Sequence, residues 1–129
     1  MGANAETLRA AYETHVVYQR PSFASPGPVN KANWKDHLGK EEYYQAYLAF
    51  YSDEVLASST QAVLENYIMS RDANIVAGKD DEKPMMLARF LGGFLHPLIH
   101  CGYGCEFGLP GLVAEGVHIT ALYYTLVAH

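Results

Sequence analysis

Glu41-Glu-Tyr-Tyr-Gln-Ala-Tyr-Leu-Ala-Phe-Tyr-Ser-Asp-Glu-Val-Leu56 carries Tyr44, Tyr47, Leu48, Tyr51 and Val55 at three- and four-residue intervals, with Glu41, Glu42, Asp53 and Glu54 outside that stripe. This is the period of a helix that buries one face; a strand would alternate at every second residue. The same period recurs on both sides. Toward the N-terminus, Leu8, Ala11, Tyr12, His15 and Val16 predict a helix from Glu6 to Arg20, stopped by Pro21, whose ring cannot continue an α-helix. Pro21 to Lys31 holds three prolines and a glycine, which makes it an irregular surface connection. Toward the C-terminus, Ser58 to Thr60 offer capping hydroxyls and Gln61 follows Ser58 by three, as in a capping box. They open a helix through Val63, Leu64, Tyr67 and Ile68 that runs to about Ile75.

After a charged turn at Gly78 to Glu82, Pro84 takes the favoured first-turn position of a largely buried helix, Met85 to Leu95, with Arg89 its one charge. Pro97 conflicts with the carbonyl of Gly93, beside Gly92, so a kink or break is expected there. Leu98 to Cys101 continues helically to Gly102-Tyr103-Gly104. Pro110-Gly111 then opens a last helix with Val113, Val117, Thr120, Ala121 and Tyr124 inward. The reading is all-α: five to six amphipathic helices in one segment, residues 1–129.

With 129 residues, half of them hydrophobic, the chain can bury about two-thirds of its extended surface in one core. Charged residues are 18%, the net charge is −5 and the basic residues stand singly, which argues against nucleic acid and anionic lipid. Arg89, His96 and His100 interrupt the best apolar run, Met85 to Ile99, short of a membrane span. Met1 to Tyr18 is polar and mixed rather than a secretory leader, so a cytoplasmic address is expected and Cys101 and Cys105 read as free thiols. The apolar pattern still runs at His129, which predicts a continuation, or self-association through exposed apolar helix faces.

His96-Pro-Leu-Ile-His100 is the strongest chemical signal. Residues four apart on a helix share a face with Cβ atoms roughly 5–6 Å apart, so two imidazoles can converge on one metal. Two core histidines bonded to buried carbonyls are the competing reading. A helix broken at His96 would free carbonyls to orient the second ring nitrogens. Glu115-x-x-His118 has di-iron spacing, but such sites need two copies and further glutamates, so it reads as a polar edge of the last helix. A zinc site from His100, Cys101, Cys105 and His118 is disfavoured because positions 100 and 101 point about 100° apart on a helix. No P-loop, Gly-x-Ser-x-Gly elbow or His-Glu-x-x-His occurs. Ten tyrosines, Trp34 and five phenylalanines suit a planar phenolic ligand or plain packing. Arg89 calls for a carboxylate, with Glu106 and Glu115 the candidates.

Tyr18-Gln-Arg-Pro21, Asn33-Trp34 with Leu38-Gly39-Lys40, Tyr43-Tyr44, Tyr47-Leu48, and above all Phe94-Leu-His-Pro-Leu-Ile-His-Cys-Gly-Tyr-Gly-Cys-Glu-Phe-Gly108 with Val113-Ala-Glu-Gly116 resemble the questin oxidase-like family, from about Leu8 to the end. The resemblance implies a mostly helical oxidoreductase acting on anthraquinone-type or related polyketide phenols in fungal secondary metabolism, mycotoxin biosynthesis included. It implies oxygen-dependent hydroxylation or ring cleavage, either with NADPH or at a non-haem iron in a histidine-rich centre. Of that centre His96 and His100 match, and Tyr103 and Glu106 would line or order the site. His15, His37 and His118 fall outside the family positions. Family members are several times longer, which makes this chain an incomplete segment; the rival reading is a non-catalytic helical binding or assembly module.

Overall fold

The computed structural model describes residues 2–19, 23–75 and 83–123. The expected stop at Pro21, the turn at Gly78 to Glu82 and the inward Tyr124 lie outside the described residues. Among the described residues there is no strand, and the all-α expectation holds.

The 41–56 segment forms a single 3-10 turn, Glu41–Tyr43, followed by helix α2, Tyr44–Ala57. Tyr47, Tyr51 and Val55 are buried with Phe50, while Tyr44 and Leu48 sit at the edges of the stripe. The aromatic rings pack on one another. Tyr67 meets Trp34, Phe50 and Tyr51 edge-on at centroid distances of 5.4, 5.5 and 5.3 Å, the geometry that ring quadrupoles favour. Tyr47 donates its hydroxyl to the Trp34 carbonyl, and Tyr67 to Glu54 Oε2 at 2.8 Å. Burial, then the bond to Glu54, pushes the Tyr67 phenol above its ordinary range. The rings of this cluster are therefore packing.

Helix α3, Thr60–Leu64, is capped one residue later than expected: Ser59 Oγ accepts from the Ala62 amide at 3.1 Å, whereas Ser58 Oγ donates back to the Glu54 carbonyl. Gln61 consequently bonds forward, to Glu65, and closes no capping box. A π turn, Glu65–Met69, widens the helix so that adjacent Tyr67 and Ile68 are both buried, and the helix stops at Ser70 rather than Ile75. Helix α1, Ala5–Val16, is capped by Asn4 and shorter than expected. Its stripe faces no core: every residue from Ala5 to Val16 is exposed, including Leu8, Tyr12 and Val16.

The expected Met85–Leu95 helix is only Met86–Phe90, α4, a length unable to persist alone and anchored by buried Met86 and Phe90. Full burial of such a side chain stabilises by about 1.5–3 kcal/mol. Helices α5, His96–Glu106, and α6, Pro110–Leu122, form the most extensive helix pair, and α6 also packs on α2, α3 and α4. Val113, Val117, Thr120 and Ala121 are buried as the pattern predicts. Gly102 and Gly104 do not end α5. A Cβ on Gly104 would lie 2.5 Å from Val113 Cγ2 and one on Gly116 would lie 2.5 Å from Cys101 Sγ and 2.8 Å from the Pro97 carbonyl, so these glycines let the two helices close.

Candidate functional site

Between α4 and α5 the chain reverses hand. Gly93, Phe94 and Leu95 have φ of 55°, 54° and 64°, and the Leu95 amide bonds the Gly92 carbonyl at 2.9 Å to close the turn. For Phe94 and Leu95 a left-handed backbone costs roughly 1–2 kcal/mol each. The break expected around Gly92, Gly93 and Pro97 is therefore present, but Pro97 bends no helix. It lies in the first turn of a new one, where its missing N–H needs no partner.

This elbow sets His96. His96 Nδ1 lies 2.7 Å from the Gly93 carbonyl, and His100 Nδ1 lies 2.8 Å from the His96 carbonyl. A carbonyl only accepts, so both rings carry their proton on Nδ1 and direct the Nε2 lone pair elsewhere, the protonation state a metal requires. His96 is exposed and His100 half-buried. The seam of α5 against α6 is Pro97, Cys101 and Gly104. At 3.6 residues per turn, His96, His100, Tyr103 and Phe107 fall within a sector of about 60°, roughly a quarter-turn from that seam. Tyr103 and Phe107 stack at 5.9 Å, both exposed. Glu106 lies about another quarter-turn away and is exposed. Tyr103 therefore shares the histidine flank and Glu106 does not.

Among the described residues no group of three or more histidine, cysteine, aspartate or glutamate side chains gathers as a metal site. The pair fits as two donors of a coordination shell and not as a whole one. Cys101 is buried, with its thiol pushed up to about 12, first by burial and then by Cys105, and its Sγ faces the Val113 carbonyl at 3.6 Å. Cys105 is exposed, and both thiols are free.

Two expectations are corrected. Arg89 donates Nε to the Pro84 carbonyl at 2.9 Å and Nη1 to the Tyr123 carbonyl, and among the described residues no ion pair joins it to Glu106 or Glu115. His118 is no polar edge: it is fully buried, with Tyr44 edge-on at 4.3 Å. Its Nδ1 reaches the Glu115 carbonyl at 3.2 Å and its Nε2 is buried without a hydrogen-bond partner among the described residues. Burial lowers its pKa to about 4 despite that carbonyl. The signal was present, since His118 lies four residues after Ala114 and three before Ala121, both buried. A cleft of about 430 Å³ between residues 28–31 and α2 is floored by Ala46, Ala49 and Phe50, and none of the candidate residues lines it.

The fold and this flank define a class: a strand-free helical segment presenting two Nδ1-anchored histidines beside stacked aromatics. The chain belongs to the questin oxidase-like family, whose model matches residues 1–128. It is 33% identical over 128 residues to Oxidoreductase AflY of Aspergillus parasiticus, covering 95% of this chain and 24% of that protein. It is 32% identical to Baeyer-Villiger oxidase notM of an Aspergillus species, over 91% of this chain and 22% of that protein, and 29% identical to Questin oxidase of Aspergillus terreus, over 91% and 26%. The chain thus spans about a quarter of the length of these curated relatives.

Proposed function

We propose that this chain serves an oxidoreductase that inserts or adds oxygen on anthraquinone-type or related polyketide phenols, with His96 and His100 supplying two imidazole ligands to a non-haem iron. The observation that carries the reading is the anchoring of both Nδ1 atoms on carbonyls, which leaves two Nε2 lone pairs on one helical flank. Iron bound there would supply oxygen activation. The name Baeyer-Villiger oxidase, carried by notM, favours the ring-cleaving form of the chemistry, in which one oxygen atom enters beside a carbonyl and the other leaves as water. That balance needs two electrons, for which NADPH is the proposed donor. The chain's own residues bind and orient: the stacked Tyr103 and Phe107 offer a flat apolar surface for a planar ring, and the two imidazoles hold their proton on Nδ1. Glu106, a quarter-turn away, acts only on groups that approach from that side.

Iron stoichiometry after anaerobic loading with ferrous ion tests the reading. His96→Ala and His100→Ala are each expected to abolish loading, and unchanged metal content would remove the ligand assignment. The exposed Leu95, Leu98 and Ile99 of this region favour a second reading, a non-catalytic helical binding or assembly module. Metal-free oligomers on size exclusion would support that module instead.

A further inference from the structure

We infer that Tyr123 is the positioning residue of His96, acting through Gly93, an inference that rests on the ligand reading above. The chain of contacts is short. A Cβ on Gly93 would lie 2.5, 2.6 and 2.9 Å from Tyr123 Cζ, Cε2 and Cε1, so the tyrosine ring lies directly on the Gly93 backbone. The Gly93 carbonyl is the acceptor for His96 Nδ1. Tyr123 is itself fixed from two sides: its amide bonds the Ile119 carbonyl at 3.0 Å and its carbonyl accepts from Arg89 Nη1, while Arg89 Nε holds the Pro84 carbonyl in front of α4. Three consecutive residues with positive φ persist only where the surroundings over-determine them. The ring of Tyr123, itself held by Arg89 at its carbonyl, supplies that constraint, and glycine is required at 93 both for its φ and for the approach of the ring. His100 depends on none of this, because its acceptor lies within α5. The end of α6 thereby sets the tautomer and direction of one imidazole of the pair and not of the other.

The test is imidazole ¹⁵N NMR of the whole chain at pH 8, where free histidine is neutral, for wild type, Tyr123→Ala and Tyr123→Phe. Wild type and Tyr123→Phe, which keeps the ring, are expected to show Nδ1–H at His96 and His100. Tyr123→Ala is expected to shift His96 toward Nε2–H while His100 stays Nδ1–H. Zinc affinity, used as the metal probe, is expected to fall roughly 10- to 100-fold in Tyr123→Ala and to be restored in Tyr123→Phe. A wild-type His96 already Nε2–H overturns the inference, as does a Tyr123→Ala spectrum in which His96 is unmoved or moves together with His100. A His96 shift in a protein that binds no zinc sustains the positioning role and refutes the ligand reading, so the two fail separately.

Discussion

Replacing His118 by leucine should flatten the acid side of the stability curve. The imidazole is fully buried, donates Nδ1–H to its own helix, stands edge-on to Tyr44 and has no hydrogen-bond partner for Nε2 among the described residues; burial lowers its pKa from the ordinary 6.5 to about 4. Because the folded pKa is the depressed one, the unfolded chain takes up the proton first; the stability is complete above about pH 6.5 and is lost as pH falls toward 4. At 1.36 kcal/mol per pKa unit the loss amounts to about 3 kcal/mol. In urea, with m of roughly 1–3 kcal/mol/M, that is a midpoint shift of about 1–3 M. His118→Leu retains similar volume and removes the unpaired nitrogen, so at pH 7.5 it should lie within about 1 kcal/mol of wild type. Urea titrations of both proteins between pH 7.5 and 4 cancel the other titrating groups in the difference. Parallel curves would show that the buried nitrogen reaches solvent or a partner and would refute the reasoning.

Gly116→Ala should destabilise by up to about 2 kcal/mol, since overpacking against Cys101 and Pro97 costs about 1–3 kcal/mol and helix propensity returns about 1. Gly111→Ala, with open space around it in the same helix, should instead leave the urea midpoint unchanged or raise it. Tyr51→Phe removes a buried hydroxyl that has no partner among the described residues and should be neutral or stabilising by up to about 1 kcal/mol. Tyr67→Phe, which gives up the bond to Glu54, should lower the thermal midpoint, and the opposite ranking of these two variants would contradict the packing described.

The helices α2 and α6 were legible because burial imposes its period on sequence, and Tyr47, Tyr51, Val55, Val113 and Val117 kept that period. The break before His96 was legible from Gly93 and Pro97. Its left-handed form was not, because Phe94 and Leu95 carry no local preference for positive φ and are held there by tertiary contacts. Gly104 resembled a helix stop because a glycine that ends a helix and one that admits a neighbouring helix look alike in one sequence. The α1 stripe was legible as a stripe, but periodicity does not reveal whether a partner lies opposite. Of the candidate flank, the four-residue histidine spacing was readable and the quarter-turn offset of Glu106 followed once α5 proved continuous through Gly102 and Gly104.

α6 meets α2, α3, α4 and α5, yet it follows all of them in the chain. A ribosome therefore delivers the surrounding helices before the one that joins them. The part of α2 that α6 covers and the seam of α5 stay open to water until residue 122 has emerged, so productive collapse is deferred and a nascent chain stalled earlier should engage chaperones that hold apolar segments.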